Sequence, residues 1–142
     1  MIENHRYTHR VRYADTDRMG VVYHGRYFEW FEAARTEMLR DAGLPYAKLE
    51  ERGVMLPVIQ VHCDYRRSVL YDELVTIQTS IVEATRSKLV LEYAISLEGE
   101  DRPRAVATTV HCYMSPEGRA IRAPQSLMDI FENPGEESNH VE

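Results

Sequence analysis

The chain has 142 residues and a formal net charge of −6, and 44% of its residues are hydrophobic. This length fits one domain with its own core, and the acidic balance argues against a nucleic-acid partner, because phosphate binding requires a basic face. No apolar run approaches the ~20 residues of a membrane span, and the N-terminus has no apolar leader segment. We therefore expect a single cytoplasmic domain over residues 1–131, followed by an acidic, flexible tail over residues 132–142.

The predicted elements begin with a strand and a long helix. Residues alternate in character from His5 to Tyr13, which predicts the first strand. From Tyr27 to Ala42 apolar residues recur every three or four positions, which predicts one long helix. Gly43 and Pro45 end it, because glycine suits the left-handed position after a helix and proline cannot continue one. A short second helix is predicted over residues 45–52.

From residue 54 the apolar period changes to two, which predicts further strands. They lie around residues 59–66, 75–81, 89–97 and 106–114. The connections between them are too short for crossover helices, so we expect the later strands to pair antiparallel, as hairpins or a meander. An antiparallel sheet of about five strands packed on one long helix is an α+β layer arrangement.

The start of the long helix lacks a good N-cap, because Ser, Thr, Asp and Asn are all absent between Met19 and Phe28. The first N–H groups of a helix need acceptors, and the positive helix end attracts a ligand oxygen. Aromatic residues widen the apolar stripe here, so we expect this start to be buried. Asp17 precedes it, which predicts a carboxylate and free N–H groups in one small volume. If strand alternation continues that far, Asp15 and Asp17 face the same way and couple.

The residues around this start carry a recognisable signature. Its members are Tyr13-Ala14-Asp15-Thr16-Asp17, Gly20, Val22-Tyr23-His24, Tyr27, Phe31-Glu32 and Ala34-Arg35. With this signature the chain resembles the hotdog-fold acyl-CoA thioesterases of the 4-hydroxybenzoyl-CoA thioesterase and YbgC type, through about Pro124. The resemblance implies a hotdog fold, in which the antiparallel sheet wraps around one long central helix.

The resemblance also implies roles for particular residues. The second aspartate of the Asp-x-Asp pair is the family's catalytic carboxylate and corresponds to Asp17, which acts as general base or nucleophile. The helix-start N–H that polarises the thioester carbonyl corresponds to His24. No metal or other cofactor is needed. The family arrangement further implies a homodimer or homotetramer, with the sheets of a dimer joined and the active sites at the subunit interface.

Further residues are predicted to bind the acyl-CoA substrate. Tyr13, Gly20, Tyr23 and Tyr27 lie within or beside the signature, and the crowding of rings favours short-chain, medium-chain or aromatic acyl groups. Coenzyme A carries several phosphate charges, so an acidic protein needs a local basic patch to bind it. We assign that patch to the basic residues before the fourth strand, in preference to Arg66 and Arg67. They are Arg86 and Lys88.

Several features have simpler interpretations. Asp15 and Asp17 fit ordinary turn chemistry, and the imidazole of His24 is consistent with a packed or partly exposed side chain. Cys63 and Cys112 lie within predicted strands, so we interpret them as buried free thiols rather than nucleophiles. The basic residues assigned to coenzyme A also fit a solvated polar face.

The sequence also bears on a metal site, an ion pair and two further functions. The histidines have no spacing that supports a metal site. Glu32 and Arg35 are spaced for an ion pair on the helix surface. Two functions remain beside hydrolysis: a non-catalytic acyl-CoA-binding module, against which Asp17 argues, and a hydratase or dehydratase on the same fold, for which His24 provides a candidate group.

Overall fold

A computed structural model describes residues 1–134 of the chain. The strands are β1 (His5–Arg10), β2 (Val58–Tyr65), β3 (Leu74–Ala84), β4 (Leu89–Leu97) and β5 (Ala105–His111). The α-helices are α1 (Arg26–Asp41), α2 (Tyr46–Glu51) and α3 (Gln125–Glu132), and a short 3-10 helix covers Tyr13–Asp15. The strands form one five-stranded sheet in the order β1-β3-β4-β5-β2, and every neighbouring pair is antiparallel.

Helix α1 packs along one face of this sheet. Its buried side includes Phe31, Ala34 and Met38, and the ring of Phe31 lies 4.7 Å from the ring of Tyr93 on β4. The inward residues of β3, β4 and β5 are buried in alternation, because successive side chains of a strand point to opposite faces. The predicted α+β class, with an antiparallel sheet around one long helix, is confirmed.

The predicted helices agree with the structure to within one or two residues. The long helix begins one residue earlier than predicted, and Gly43 follows it with a φ of 90°, a left-handed conformation that glycine adopts without strain. The first strand ends at Arg10 rather than Tyr13, because the chain turns into the 3-10 helix. The last strand ends at His111 rather than at residue 114. Met114 instead forms isolated bridges to residues 55 and 120.

The pairing of β2 differs from the expectation. Hairpins join β3 to β4 and β4 to β5, as predicted, but β2 pairs with β5 and forms one edge of the sheet. The connection over residues 66–73 therefore crosses the end of the sheet. It is held by the segment that follows β1, because the N–H of Val22 donates to the carbonyl of Val69 at 2.8 Å and the N–H of Val11 donates to the carbonyl of Glu73 at 2.9 Å.

A chain of buried hydrogen bonds crosses the core from α1 to β5. Arg35 donates to the hydroxyl of Tyr93 at 3.1 Å, and the Tyr93 and Thr109 hydroxyls lie 2.7 Å apart. Thr109 lies 2.9 Å from Nε2 of His111, whose Nδ1 lies 3.0 Å from the carbonyl oxygen of Leu56. A carbonyl only accepts, so Nδ1 of His111 carries a proton that it donates to Leu56, and burial lowers the pKa of His111 to about 4, which leaves the ring neutral at neutral pH.

Helix α3 was not predicted from the sequence. Four of its residues are buried, and the N–H of Ala123 just before it donates to the carbonyl of Arg86 at 2.8 Å. Glu132, the first residue of the predicted tail, is the last residue of this helix, and residues 135–142 lie outside the described part of the chain. Within residues 1–134, no helix is long and apolar enough to cross a membrane.

Candidate active site

Asp17 lies at the tip of a tight hairpin between the 3-10 helix and α1. Its N–H donates to the carbonyl of Val21 at 2.8 Å, and two residue pairs away the N–H of Tyr23 donates to the carbonyl of Asp15 at 3.0 Å. Gly20 has a φ of 79°, which the return of the chain requires. The Asp17 carboxylate is exposed, and its Oδ1 accepts the N–H of Met19 at 2.8 Å. Within residues 1–134, Oδ2 accepts no hydrogen bond.

Asp15 has a different environment from Asp17. Its carboxylate is fully buried; Oδ2 lies 3.0 Å from Nε2 of His9 and accepts the N–H of Arg12 at 2.9 Å, while Oδ1 accepts the Arg12 guanidinium at 3.2 Å. Burial by itself raises the pKa of Asp15, but the hydrogen bonds from His9 and Arg12 outweigh it and lower that pKa. The condition for coupling of Asp15 and Asp17 is not met, because the 3-10 helix interrupts the strand alternation and leaves Asp15 buried and Asp17 exposed.

The start of α1 is uncapped, as predicted. Gly25 is its N-cap residue and makes no side-chain cap bond. The N–H of Arg26 donates to the carbonyl of Tyr23 at 2.9 Å, and the N–H of Tyr27 donates to the carbonyl of His24 at 3.3 Å. No atom of residues 1–134 accepts the N–H groups of His24 and Gly25. These two N–H groups are therefore available to an external acceptor.

In the single chain this helix start is not buried, contrary to the expectation. Tyr23 is 51% exposed and Phe28 is 44% exposed, and the side chain of His24 is also exposed. The helix start is exposed because it lies beside β2, which is an edge strand. The hydroxyl of Tyr65, the last residue of β2, donates to the carbonyl of His24, and no other part of residues 1–134 covers the helix start beyond Tyr65.

Aromatic rings support the helix start from below. Tyr27 is buried, and its ring lies 4.9 Å from that of Tyr65 and 5.1 Å from that of Trp30. Burial is the main cause that raises the pKa of Tyr27 to about 12. Tyr27 therefore lies buried beneath the helix start, and its contact with the substrate stays a prediction. Nearby on β2, burial raises the pKa of the half-buried Cys63 thiol, which argues against a nucleophilic cysteine.

Exposed apolar side chains surround the Asp17 hairpin. Tyr13 is 79% exposed and meets the ring of Tyr71 edge-on at 6.0 Å, while the Tyr23 ring lies 4.4 Å from the His24 ring. Met19, Leu70 and Tyr71 belong to the same rim and were not predicted as site residues. The apolar run Val69-Leu70-Tyr71 within a predicted loop was the signal that sequence analysis passed over.

The structure does not bring Arg86 and Lys88 to Asp17 within one chain. Strand β5 begins beside Tyr65 and ends at His111, which pairs with the start of β4. The turn that carries Arg86 and Lys88 directly precedes β4, so it lies at the other end of the sheet from the helix start.

The side chains of Arg86 and Lys88 also make contacts of their own at that end of the sheet. Nε of Arg86 donates to the carbonyl of Ala123 at 2.7 Å, and Nζ of Lys88 lies 3.5 Å from the carboxylate of Glu83.

A second basic cluster lies at the near end of the sheet. A cavity of about 470 Å³ is lined by Arg66, Arg67, Arg102 and Pro103. The N–H groups of Arg66 and Arg67 both donate to the carbonyl of Arg104, at 2.9 and 3.1 Å. Arg66 and Arg67 immediately follow Tyr65, whose hydroxyl contacts the helix start. These two arginines therefore lie at the same end of the sheet as the helix start, whereas Arg86 and Lys88 lie at the opposite end.

The surface ion pair between Glu32 and Arg35 is not formed within residues 1–134, because Arg35 turns inward to Tyr93. In the same part of the chain, no group of three or more His, Cys, Asp or Glu side chains is arranged to hold a metal ion.

The antiparallel sheet packed on one long helix is the hotdog fold, which this chain shares with solved thioesterases. The chain belongs to the thioesterase-like superfamily, whose sequence profile matches residues 11–131.

Known proteins bear out both statements. The acyl-CoA thioesterase YbgC of Haemophilus influenzae is 38% identical over 84 residues, 58% of this chain and 62% of that protein. The 4-hydroxybenzoyl-CoA thioesterase of a Pseudomonas species is 26% identical over 129 residues, 87% and 92% of the two chains. The solved DHNA-CoA thioesterase of Staphylococcus aureus superposes with a TM-score of 0.84 at 29% identity, covering 100% of this chain and 97% of that one. The family resemblance in the sequence is thereby confirmed.

Proposed function

We propose that this chain hydrolyses acyl-CoA thioesters to a free acid and coenzyme A, with Asp17 as the catalytic carboxylate and the His24 N–H as the oxyanion donor. The observation that carries the proposal is the hairpin ladder, which fixes an exposed carboxylate directly ahead of a helix start with unpaired N–H groups. The relatives named above as acting on CoA thioesters support the same substrate class.

The chemistry requires two events at the thioester carbonyl. Its oxygen accepts the His24 N–H, so the negative charge that develops on it is stabilised by a fixed backbone dipole at the positive helix end. Asp17 either removes a proton from an attacking water or attacks the carbon itself, expelling the coenzyme A thiolate and forming an anhydride that water then cleaves. Single turnover in oxygen-labelled water distinguishes these routes, because only water attack on the Asp17 carbon of the anhydride leaves label in that carboxylate.

Replacement of the carboxylate tests the proposal. Asp17→Asn keeps the shape of the side chain and can still accept the Met19 N–H, but it neither accepts a proton at neutral pH nor attacks as a carboxylate. We expect kcat to fall by about 10²–10⁴-fold with KM near that of the wild type. Asp15→Asn is the matched control, because the same change two residues earlier removes a buried structural charge and should reduce stability rather than turnover. Turnover by Asp17→Asn within about threefold of the wild type would contradict the proposal.

The assay also separates the alternative functions. Thiol release from a panel of acyl-CoA substrates, including an aromatic one, reports hydrolysis, while loss of enoyl absorbance reports hydration. We expect thiol release with short-chain, medium-chain or aromatic acyl groups, because Tyr13 and Tyr23 surround the carboxylate with rings. Binding without either reaction would instead indicate a non-catalytic module. A preference for chains of sixteen carbons or more would contradict the substrate class.

We further propose that two copies pair through β2. This edge strand is rich in apolar side chains that remain exposed in one chain. They are Val58, Ile59, Val61 and Tyr65, at 44%, 57%, 47% and 43% exposed. An unprotected apolar edge favours pairing with another strand, and a two-fold axis pairs each residue with its symmetric counterpart. Antiparallel pairing of β2 with its symmetry mate would join the two sheets and cover the helix start.

Such pairing gives Arg86 and Lys88 a role despite their distance from Asp17 in one chain. In antiparallel pairing, the Val58 end of β2 in one copy lies beside the Tyr65 end in the other. The partner's β3–β4 turn would then approach the helix start, where its basic side chains can meet the coenzyme A phosphates.

An apolar cavity supports the same pairing. It has a volume of about 290 Å³ and is lined in part by Leu39, Leu44 and residues 54–57, which precede β2. It therefore lies at the Val58 end of β2, and pairing would place it near the partner's helix start as a space for the acyl group.

Subunit complementation tests this arrangement. Asp17→Asn chains are mixed and refolded with chains that carry both Arg86→Ala and Lys88→Ala, and thiol release is measured at low substrate concentration. A mixed dimer has one site with every group intact, so we expect more activity than the two parents give separately. Activity equal to the average of the parents would show that the groups of one site come from one chain.

A further inference from the structure

We infer that Tyr65 is a positioning residue: its hydroxyl holds the His24–Gly25 peptide and so orients the Gly25 N–H as a second oxyanion donor beside the His24 N–H. This inference rests on the proposed hydrolysis at the helix start. It concerns a residue of β2, 41 positions away in the chain from His24.

Two donors hold the carbonyl of His24. The Tyr65 hydroxyl donates to it at 3.0 Å, and the N–H of Tyr27 donates at 3.3 Å. The bond from Tyr65 is the shorter one, and the first-turn bond from Tyr27 is at the long end of the normal range. The Tyr65 ring also meets the rings of Tyr27 and His24 edge-on, with centroids 4.9 and 6.2 Å apart. These ring contacts hold the Tyr65 side chain beside the helix start, although it is 43% exposed.

Because a peptide group is planar, hydrogen bonds that fix its carbonyl also fix the direction of its N–H. In a trans peptide the C=O and N–H bonds point in opposite directions, so fixing the carbonyl of His24 fixes the N–H of Gly25. The carbonyl of Tyr23 is fixed in the same way by Arg26, which directs the His24 N–H. Both carbonyls point into the helix, so the two neighbouring N–H groups point outward together. Neither has an acceptor among residues 1–134.

The hydrogen bond from the Tyr65 hydroxyl also makes the Gly25 N–H a stronger donor. A hydroxyl that donates to a peptide carbonyl polarises that peptide, and the cooperative gain is roughly 10–30% per bond. The Gly25 N–H therefore becomes a better donor to a developing oxyanion while Tyr65 is in place. A substrate carbonyl that carries less negative charge profits less, so the effect belongs to the transition state rather than to substrate binding.

Tyr65→Phe removes only the hydroxyl and is the test variant. Removal of an entire oxyanion donor typically reduces kcat by about 10²–10³-fold. Loss of orientation and polarisation at one of two donors should reduce kcat by roughly tenfold, with KM within about twofold of the wild type. Tyr93→Phe is the matched control. It removes a buried hydroxyl with two hydrogen bonds, so it should lower the melting temperature more and leave kcat within about twofold.

A spectroscopic readout separates positioning from a general structural effect. The probe is a hexanoyl-CoA analogue in which a methylene replaces the thioester sulfur, and the infrared stretch of its carbonyl reports hydrogen bonding. We expect the stretch to lie at lower frequency when the analogue is bound to the wild type or to Tyr93→Phe than when it is free. Bound to Tyr65→Phe, the analogue should lose part of this shift.

Several outcomes would overturn the inference. They are a kcat of Tyr65→Phe within about twofold of the wild type, an unchanged carbonyl shift in that variant, and a loss of kcat that follows dissociation of the protein in light scattering. If Tyr65→Phe is unaffected while Asp17→Asn is inactive, only the role of Tyr65 is wrong. If Asp17→Asn retains full turnover, the proposed function itself is wrong.

Discussion

Acidification should destabilise this protein through one buried histidine. His111 has no exposed surface, and its Nδ1 proton donates to the carbonyl of Leu56. Burial is the main cause that lowers the pKa of His111 to about 4, and the charge of Arg35 acts in the same direction. The bond to Leu56 opposes this shift only in part. Acid therefore protonates the histidine in the unfolded chain well before the folded one.

The sign and size of the effect follow from this difference. Above pH 6.5, the ordinary pKa of histidine, both states are neutral at this position and the stabilisation is fully present. As the pH falls towards 4, the unfolded state binds one proton more, so the free energy of unfolding decreases by up to about 1.4 kcal/mol per pH unit. The total loss over this interval is about 3 kcal/mol, which is a substantial part of the stability of a typical domain.

Urea unfolding at fixed protein concentration, measured between pH 7 and pH 4, provides the assay. His111→Asn is the control, because asparagine does not titrate. We expect this variant to be less stable at pH 7 but to lose the slope that the histidine causes. The lowered pKa of Asp15 acts in a separate interval, since its stabilisation is lost only as the pH falls below its ordinary value of 3.8. Equal slopes for the wild type and His111→Asn would refute the reasoning.

Two further predictions concern the core and the helix start. Thr109→Val leaves Nε2 of His111 without a partner in the core, while the Tyr93 hydroxyl keeps the hydrogen bond from Arg35. Urea unfolding should show a loss of about 1–3 kcal/mol, and a loss below about 0.5 kcal/mol would contradict the chain. Gly25→Ala places a Cβ 2.7 Å from the ring of Tyr23, which is 51% exposed and can swing outward. Its melting temperature should stay near that of the wild type while KM for acyl-CoA rises severalfold, and an unchanged KM would argue against substrate contact by Tyr23.

Local patterns in the sequence were sufficient for much of the fold. The period of apolar residues identified α1, and Gly43 marked its end, because both depend on neighbours within one or two helical turns. The absence of a capping side chain at Gly25 was equally readable, since capping is local chemistry. Alternation predicted the strands, but α3 was passed over although its buried residues follow a helical spacing.

The family signature, the uncapped helix start and every element except α3 and the short 3-10 helix could therefore be predicted from the residues alone. The pairing of β2 with β5, the burial of Asp15 beside an exposed Asp17, and the contact of Tyr65 with the carbonyl of His24 became known from the three-dimensional structure. The structure also placed Arg86 at the far end of the sheet. Helical and strand periods are set by residues close in the chain, whereas pairing, burial and these contacts depend on which distant strands are in register, and no local pattern specifies that choice.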